Sequence, residues 1–265
     1  MSSEVFSGSL VEIFKTPAPE VVVLPTEKEV DLHAFKILAE TVINKPQAVL
    51  TLATGGTPLG LYALMAEAHK THLLDFSGTT TKNLDEYWPL PKDHSQSYSR
   101  FMKDNLFNKV NIPASQRHIP DSSAVDPSKE VARYQSVLRD IGPSDLTILG
   151  IGPEMTCHIA FNERGSSLES RVRLVGISEE TVKANARFFG GDETKVPRHA
   201  ITQGVADILE SKRIILIAKG RSKALGIKRT LEGEISEDAP ASFLRLHPKV
   251  TFILDEDAAG LLSRV

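Results

Sequence analysis

Four short apolar runs, Leu50 to Ala53, Leu146 to Leu149, Ile214 to Ala218 and Val250 to Leu254, alternate with segments of helical spacing. Runs this short and this apolar suit strands buried on both faces. The helical segments between them are Leu59 to His69, Tyr98 to Asn108, Glu130 to Arg139, Val205 to Leu209 and Lys223 to Leu231. Such alternation predicts an α/β fold: a three-layer, Rossmann-like open sheet, mostly parallel, with helices on both faces and right-handed crossovers. A chain of 265 residues can bury one large core, so residues 1–265 read as a single domain. No internal repeat is visible, and Pro113 to Ser128 reads as a surface connection rather than a linker. The acidic run Asp255 to Asp257 reads as a solvated start to a C-terminal helix, where negative charge suits the helix dipole.

Composition narrows the function classes. With 41% hydrophobic and 25% charged residues the chain is of ordinary globular type. The 31 basic and 34 acidic residues give a net charge of -3, which argues against nucleic acid or an anionic membrane as partner. The one cysteine, Cys157, cannot form an intramolecular disulfide or a zinc-cysteine cluster, and it fits a reducing cytosol. The first twenty residues lack a signal-peptide pattern, and the densest apolar run is far shorter than a bilayer span, so a cytoplasmic protein is expected.

In open parallel sheets ligands sit beyond the carboxyl ends of the strands, and four places there carry chemistry. Thr54-Gly-Gly-Thr-Pro58 follows the first run: Gly55 and Gly56 let the backbone approach an anion, Thr57 suits an N-cap and Pro58 a first helical position. The loop is neither a Walker motif nor a dinucleotide fingerprint, and taken alone it is also an ordinary strand-to-helix turn. Asp85 and Glu86 end a β-like stretch; on a strand they face opposite sides, so one of them points into a cleft as a base, against the alternative of a helix-cap acid. The loop Gly150 to Glu163 holds His158 and Glu163, five residues apart, a potential proton-transfer pair, whereas Cys157 reads as a buried spectator thiol. Arg171, Arg173, Arg187 and Lys223 flank the later strands and are candidate phosphate ligands, each against the alternative of a surface charge.

Taken together, Ala53-Thr-Gly-Gly-Thr-Pro58, Asn83-Leu-Asp-Glu-Tyr87, Leu90-Pro-Lys-Asp-His94, Ser97-Tyr98 and His158-Ile-Ala-Phe-Asn-Glu163 resemble the glucosamine-6-phosphate deaminases, of the glucosamine/galactosamine-6-phosphate isomerase family. Arg187-Phe-Phe189, Val196-Pro197, Ser222-Lys-Ala-Leu225 and Leu246-His-Pro-Lys249 extend the resemblance in order to about Leu254. The resemblance implies a cofactor-free and metal-free conversion of an amino-sugar phosphate, glucosamine 6-phosphate, to fructose 6-phosphate and ammonia. By that analogy Asp85 moves the proton from C2 to C1, His158 opens the pyranose ring, and Glu163 orients the imidazole. Gly55, Gly56, Thr57, Arg187 and Lys223 would hold the phosphate, and Ser178 to Pro197 would form a lid with Phe189 closing over the sugar. A homo-oligomer is also implied.

The chain departs from the family pattern at two places. The catalytic loop is two residues longer, Thr156 stands where an acid usually supports the histidine, and Cys157 stands where the family has glycine. Glu154 is then a candidate for the missing support, and a Cys at position 157 is strained if the backbone there needs positive φ. Ser166, Ser167 and Arg173 match an activator-phosphate site of allosteric relatives, yet the later basic position is Val175, so strong activation is not expected. Two other readings compete: a deaminase for the galacto epimer, and a sugar-phosphate-binding homologue with impaired catalysis.

Overall fold

A computed structural model describes residues 18–152 and 156–263. In chain order it runs β1 (Glu20–Leu24), α1 (Glu27–Asn44), β2 (Val49–Leu52), α2 (Leu59–Lys70), β3 (Thr80–Asn83), β4 (Asp85–Trp88), α3 (Tyr98–Met102), β5 (Arg117–His118), α4 (Pro127–Ile141) and β6 (Leu146–Gly150). It continues with β7 (Arg173–Gly176), α5 (Glu179–Ala186), β8 (His199–Thr202), α6 (Val205–Leu209), β9 (Ile214–Ala218), α7 (Ala224–Glu232), β10 (Val250–Asp255) and α8 (Glu256–Ala259). Seven strands form one parallel sheet in the order β1-β10-β9-β6-β2-β3-β5. This is the predicted α/β architecture.

Its central strands bury both faces because successive side chains alternate between them. On β9, Ile215 and Ile217 join Leu50, Leu52 and Ile148 under Val30, Ala34 and Leu38 of α1 and Leu61 and Met65 of α2. Their neighbours Ile214 and Leu216 join Leu149, Phe252 and Leu254 on the opposite face, beneath Ile208 of α6 and Ile227 of α7. Continuous apolar runs are therefore two interleaved period-2 patterns, each covered by its own helix layer.

Strand order reverses between β2 and β6. From β2 the chain steps to β3 and β5 on one side, whereas β6 leads to β9 and β10 on the other. Loops leaving adjacent strands at such a point diverge and open a crevice beyond their carboxyl ends.

Several expectations are corrected. Asp85 and Glu86 do not end a strand of the main sheet; they begin β4, which pairs antiparallel with β8 in a separate sheet of order β4-β8-β7. Pro58, not Thr57, is the cap residue of α2. The segment Pro113 to Ser128 is more than a surface connection, for it supplies edge strand β5 and the start of α4. The helix expected over Tyr98 to Asn108 is α3 followed by a π-helical turn, Lys103–Phe107. Asp255 is not solvated: its buried carboxylate accepts N–H bonds from Ala258 and Gly220, whereas Glu256 and Asp257 are exposed.

Candidate active site

A cavity of about 320 Å³ opens at the switch point. Its lining includes the β2–α2 turn, where Gly55 sits at φ 87°, a conformation glycine adopts without a Cβ penalty. The side chain of Thr57 reaches across to Gly150 at the end of β6, so the two diverging loops touch there. Gly55, Gly56, Thr57, Arg187 and Lys223 all line the cavity. Lys223 Nζ donates to the carbonyl of Ile151 at 2.9 Å, and the Arg187 guanidinium stacks 4.7 Å from the ring centroid of the exposed Phe188. The other two candidate cations are elsewhere: Arg171 pairs with Asp207 and Glu210, and Arg173 donates to Asn162 and Ser166.

Asp85 lines the cavity, but Glu86 does not. The Glu86 carboxylate turns away and accepts the N–H groups of Tyr87, Tyr98 and Ser99, the last two in the first turn of α3. The opposite facing expected of adjacent strand residues thus divides the two acids into a cavity group and a helix cap. Asp85 is 6% exposed, and burial, helped by the neighbouring Glu86 charge, pushes its pKa up to about 8.

His158 also lines the cavity. Burial and the Lys223 ammonium push its pKa down to about 4, so the imidazole is neutral at ordinary pH. Its Nδ1 lies 2.9 Å from Thr156 Oγ1. A hydroxyl both donates and accepts, so this partner supports either imidazole tautomer, which a carboxylate would not. Gly152 lies flat on the ring: a Cβ there would sit 2.4 Å from three ring atoms.

Glu163 is not hydrogen-bonded to that imidazole. Its Oε2 accepts the N–H of Ser178, the N-cap of α5, and Oε1 is buried without a hydrogen-bond partner. Glu154 lies outside the described residues. Cys157 is buried and takes φ 45°, the left-handed region where glycine is favoured.

Residues Ser178 to Pro197 fold as α5 and two 3-10 turns. Buried Phe189 packs 5.9 Å from the Tyr87 ring and stacks on His94 at 6.0 Å. Asn185 Nδ2 donates to the Tyr87 hydroxyl at 2.8 Å, so the segment is docked on the cavity. Sequence reasoning missed the aromatic wall formed by Tyr87, Tyr98 and Phe161, whose centroids lie 4.9 to 6.1 Å apart. The signal was available, because all three sit inside the motifs that carry the family resemblance.

Comparison with known proteins identifies the family. The chain is 48% identical over 235 residues to a glucosamine-6-phosphate deaminase of Halothermothrix orenii, covering 89% of this chain and 96% of that protein. It is 44% identical over 236 residues to glucosamine-6-phosphate deaminase 1 of Bacillus subtilis, covering 89% and 96%. A solved monomeric glucosamine-6-phosphate deaminase superposes with a TM-score of 0.88 at 43% identity, covering 91% of this chain and 99% of that one. Across residues 27–253 the chain matches the family model described as glucosamine-6-phosphate isomerases/6-phosphogluconolactonase, and it belongs to that family.

Proposed function

We propose that the chain is a glucosamine-6-phosphate deaminase, a single-domain enzyme that converts glucosamine 6-phosphate and water to fructose 6-phosphate and ammonia. The observation that carries this reading is the placement of Asp85 and His158 on one cavity that is also lined by Gly55, Gly56, Thr57, Arg187 and Lys223. A buried carboxyl with a raised pKa and a neutral imidazole in one cleft are the acid-base equipment that the reaction needs.

The phosphate dianion would rest on the Gly55, Gly56 and Thr57 backbone near the α2 N-terminus, with Arg187 gripping it and Lys223 adding charge. His158 would take the C1 hydroxyl proton as the ring opens and return it to the ring oxygen, so the ring-opening step is neutral overall. Asp85 would take the C2 proton of the open aldehyde and deliver it to C1, while one amine proton passes to O1, so that the enolamine becomes a C2 imine with a C1 hydroxyl. Water adds at C2 and ammonia leaves, giving the ketose. Carbon oxidation levels only exchange between C1 and C2, so the sequence balances without an external oxidant or reductant. Glu163 would act on the lid through Ser178 rather than on the imidazole.

The 43% identical solved relative is described as monomeric, whereas the sequence resemblance implies a homo-oligomer; we take the monomer as the working unit on the strength of that relative, and light scattering tests it. A cytoplasmic setting in amino-sugar catabolism, after deacetylation of an N-acetylated precursor, belongs to the same proposal. Among the described residues no helix is long and apolar enough to cross a membrane.

The test is a turnover assay with glucosamine 6-phosphate, following ammonia and fructose 6-phosphate together. Stoichiometric release of both is expected. Binding of the sugar phosphate without turnover would overturn the reading, and faster turnover of the galacto epimer would reassign the substrate.

A further inference from the structure

One ion pair outside the cavity joins α1 to the segment between β9 and α7 that leads to Lys223. Asp31, on the sheet-facing side of α1, accepts both contacts of Lys219 Nζ, at 2.9 and 3.1 Å. The side chains are 12% and 11% exposed, so the pair is largely withdrawn from water. The Asp31 carboxylate is pressed against the first turn of α2: a Cβ on Gly60 would sit 1.9 Å from Oδ2. That turn follows Gly55–Thr57 directly.

Lys219 is the residue after β9, and four positions later the chain reaches Lys223. Between them Gly220, at φ 82°, has its N–H held by both oxygens of buried Asp255 at 2.8 and 3.0 Å. The segment that delivers Lys223 is therefore fixed at its root by Lys219 and Gly220. The Asp31 carboxylate packs against the start of α2 at Gly60.

The electrostatics have a definite sign. An unneutralised carboxylate beside the first turn of α2 would oppose an anion bound at that helix N-terminus, because partly buried charges are weakly screened. Lys219 cancels it. We propose that Asp31 and Lys219 are positioning residues for substrate-phosphate binding: the pair ties the Gly55–Thr57 loop to the Lys223 segment while keeping the field at the bound phosphate positive. This rests on the phosphate being bound at the Gly55–Thr57 loop.

The sign gives a test that a purely structural role would fail. Inorganic phosphate is measured as a competitive inhibitor of glucosamine 6-phosphate turnover in the full chain, with KM and kcat alongside. Lys219→Met leaves Asp31 unpaired and should raise both the phosphate inhibition constant and KM about tenfold, with kcat held within about twofold. Asp31→Asn leaves Lys219 unpaired and should tighten phosphate by about threefold. Lys219→Met with Asp31→Asn should return the inhibition constant to within about threefold of the parent. If both single variants weaken phosphate alike, or if Lys219→Met lowers kcat with KM unchanged, the proposal is overturned. Should Lys219→Met not fold, Asp31→Asn still decides, because weaker phosphate binding there contradicts the predicted sign. Arg187→Gln, measured in parallel, separates the premise: an unchanged phosphate inhibition constant would place the phosphate elsewhere and overturn the premise, not the sign argument.

Discussion

Thr156 Oγ1 lies 2.9 Å from Nδ1 of His158, so the imidazole of the cavity is steadied by a neutral hydroxyl. Among the described residues no carboxylate is hydrogen-bonded to it, and Glu163 accepts the N–H of Ser178 instead. Loss of the contact to His158 in Thr156→Val should therefore cost roughly 1 kcal/mol of imidazole alignment and lower kcat about fivefold with KM little changed. Steady-state kinetics check this; an unchanged kcat would remove Thr156 from the ring-opening group.

Gly152 makes a sharper demand. Its Cα rests on the His158 ring, and a Cβ would lie 2.4 Å from Cδ2, Cε1 and Nδ1. Gly152→Ala should leave the seven-stranded sheet intact while displacing the imidazole, with kcat reduced about a hundredfold. Circular dichroism and kinetics on the same sample separate loss of fold from loss of alignment.

The ionisable pair also sets the pH dependence. A base held at about 8 by burial is mostly protonated in the free enzyme at neutral pH, so kcat/KM should rise with pH through about 8. The same shift works against stability. Between the ordinary aspartate value and about 8 the folded chain holds a proton that the unfolded chain has lost, so stability falls as pH rises through that window. Asp85→Asn removes this loss, and its Tm advantage over the parent should grow from pH 5 to pH 9. For His158, held at about 4, the sign is opposite: the unfolded chain gains a proton first, so its contribution is lost as pH falls from about 6.5 to about 4.

Cys157 occupies a left-handed backbone position, at φ 45°. Ordinarily glycine is less stable than alanine, but here the order should invert. Cys157→Gly should be about 1 kcal/mol more stable than Cys157→Ala, since both lose the buried thiol and only alanine keeps the φ penalty. Chemical denaturation of the two variants decides; alanine as the more stable variant would contradict a strained loop.

Much of the fold was legible because its central strands are apolar on both faces. The run Ile214 to Ala218 is β9 residue for residue. Helix α1 was missed although Thr26 and Glu29 form a reciprocal cap and begin an apolar periodicity. The second sheet was hidden for a physical reason: β4, β7 and β8 are four residues each, and their cover comes from α5 and from residues distant in sequence. Asp85 and Glu86 were legible as an opposed pair, but which one faced the cavity depended on Tyr98 and Ser99 capturing Glu86. The Asp31–Lys219 pair spans 188 positions, beyond any local pattern.

The central claim is that Asp85 carries the proton between C2 and C1. Turnover of C2-deuterated glucosamine 6-phosphate in ordinary water tests it most directly, with Asp85→Asn beside the parent. The parent should lose deuterium from C2, carry part of it to C1 of fructose 6-phosphate and release ammonia, and the variant should do none of these while still binding the sugar phosphate. Loss of the C2 deuterium by the variant at the parental rate would contradict the account.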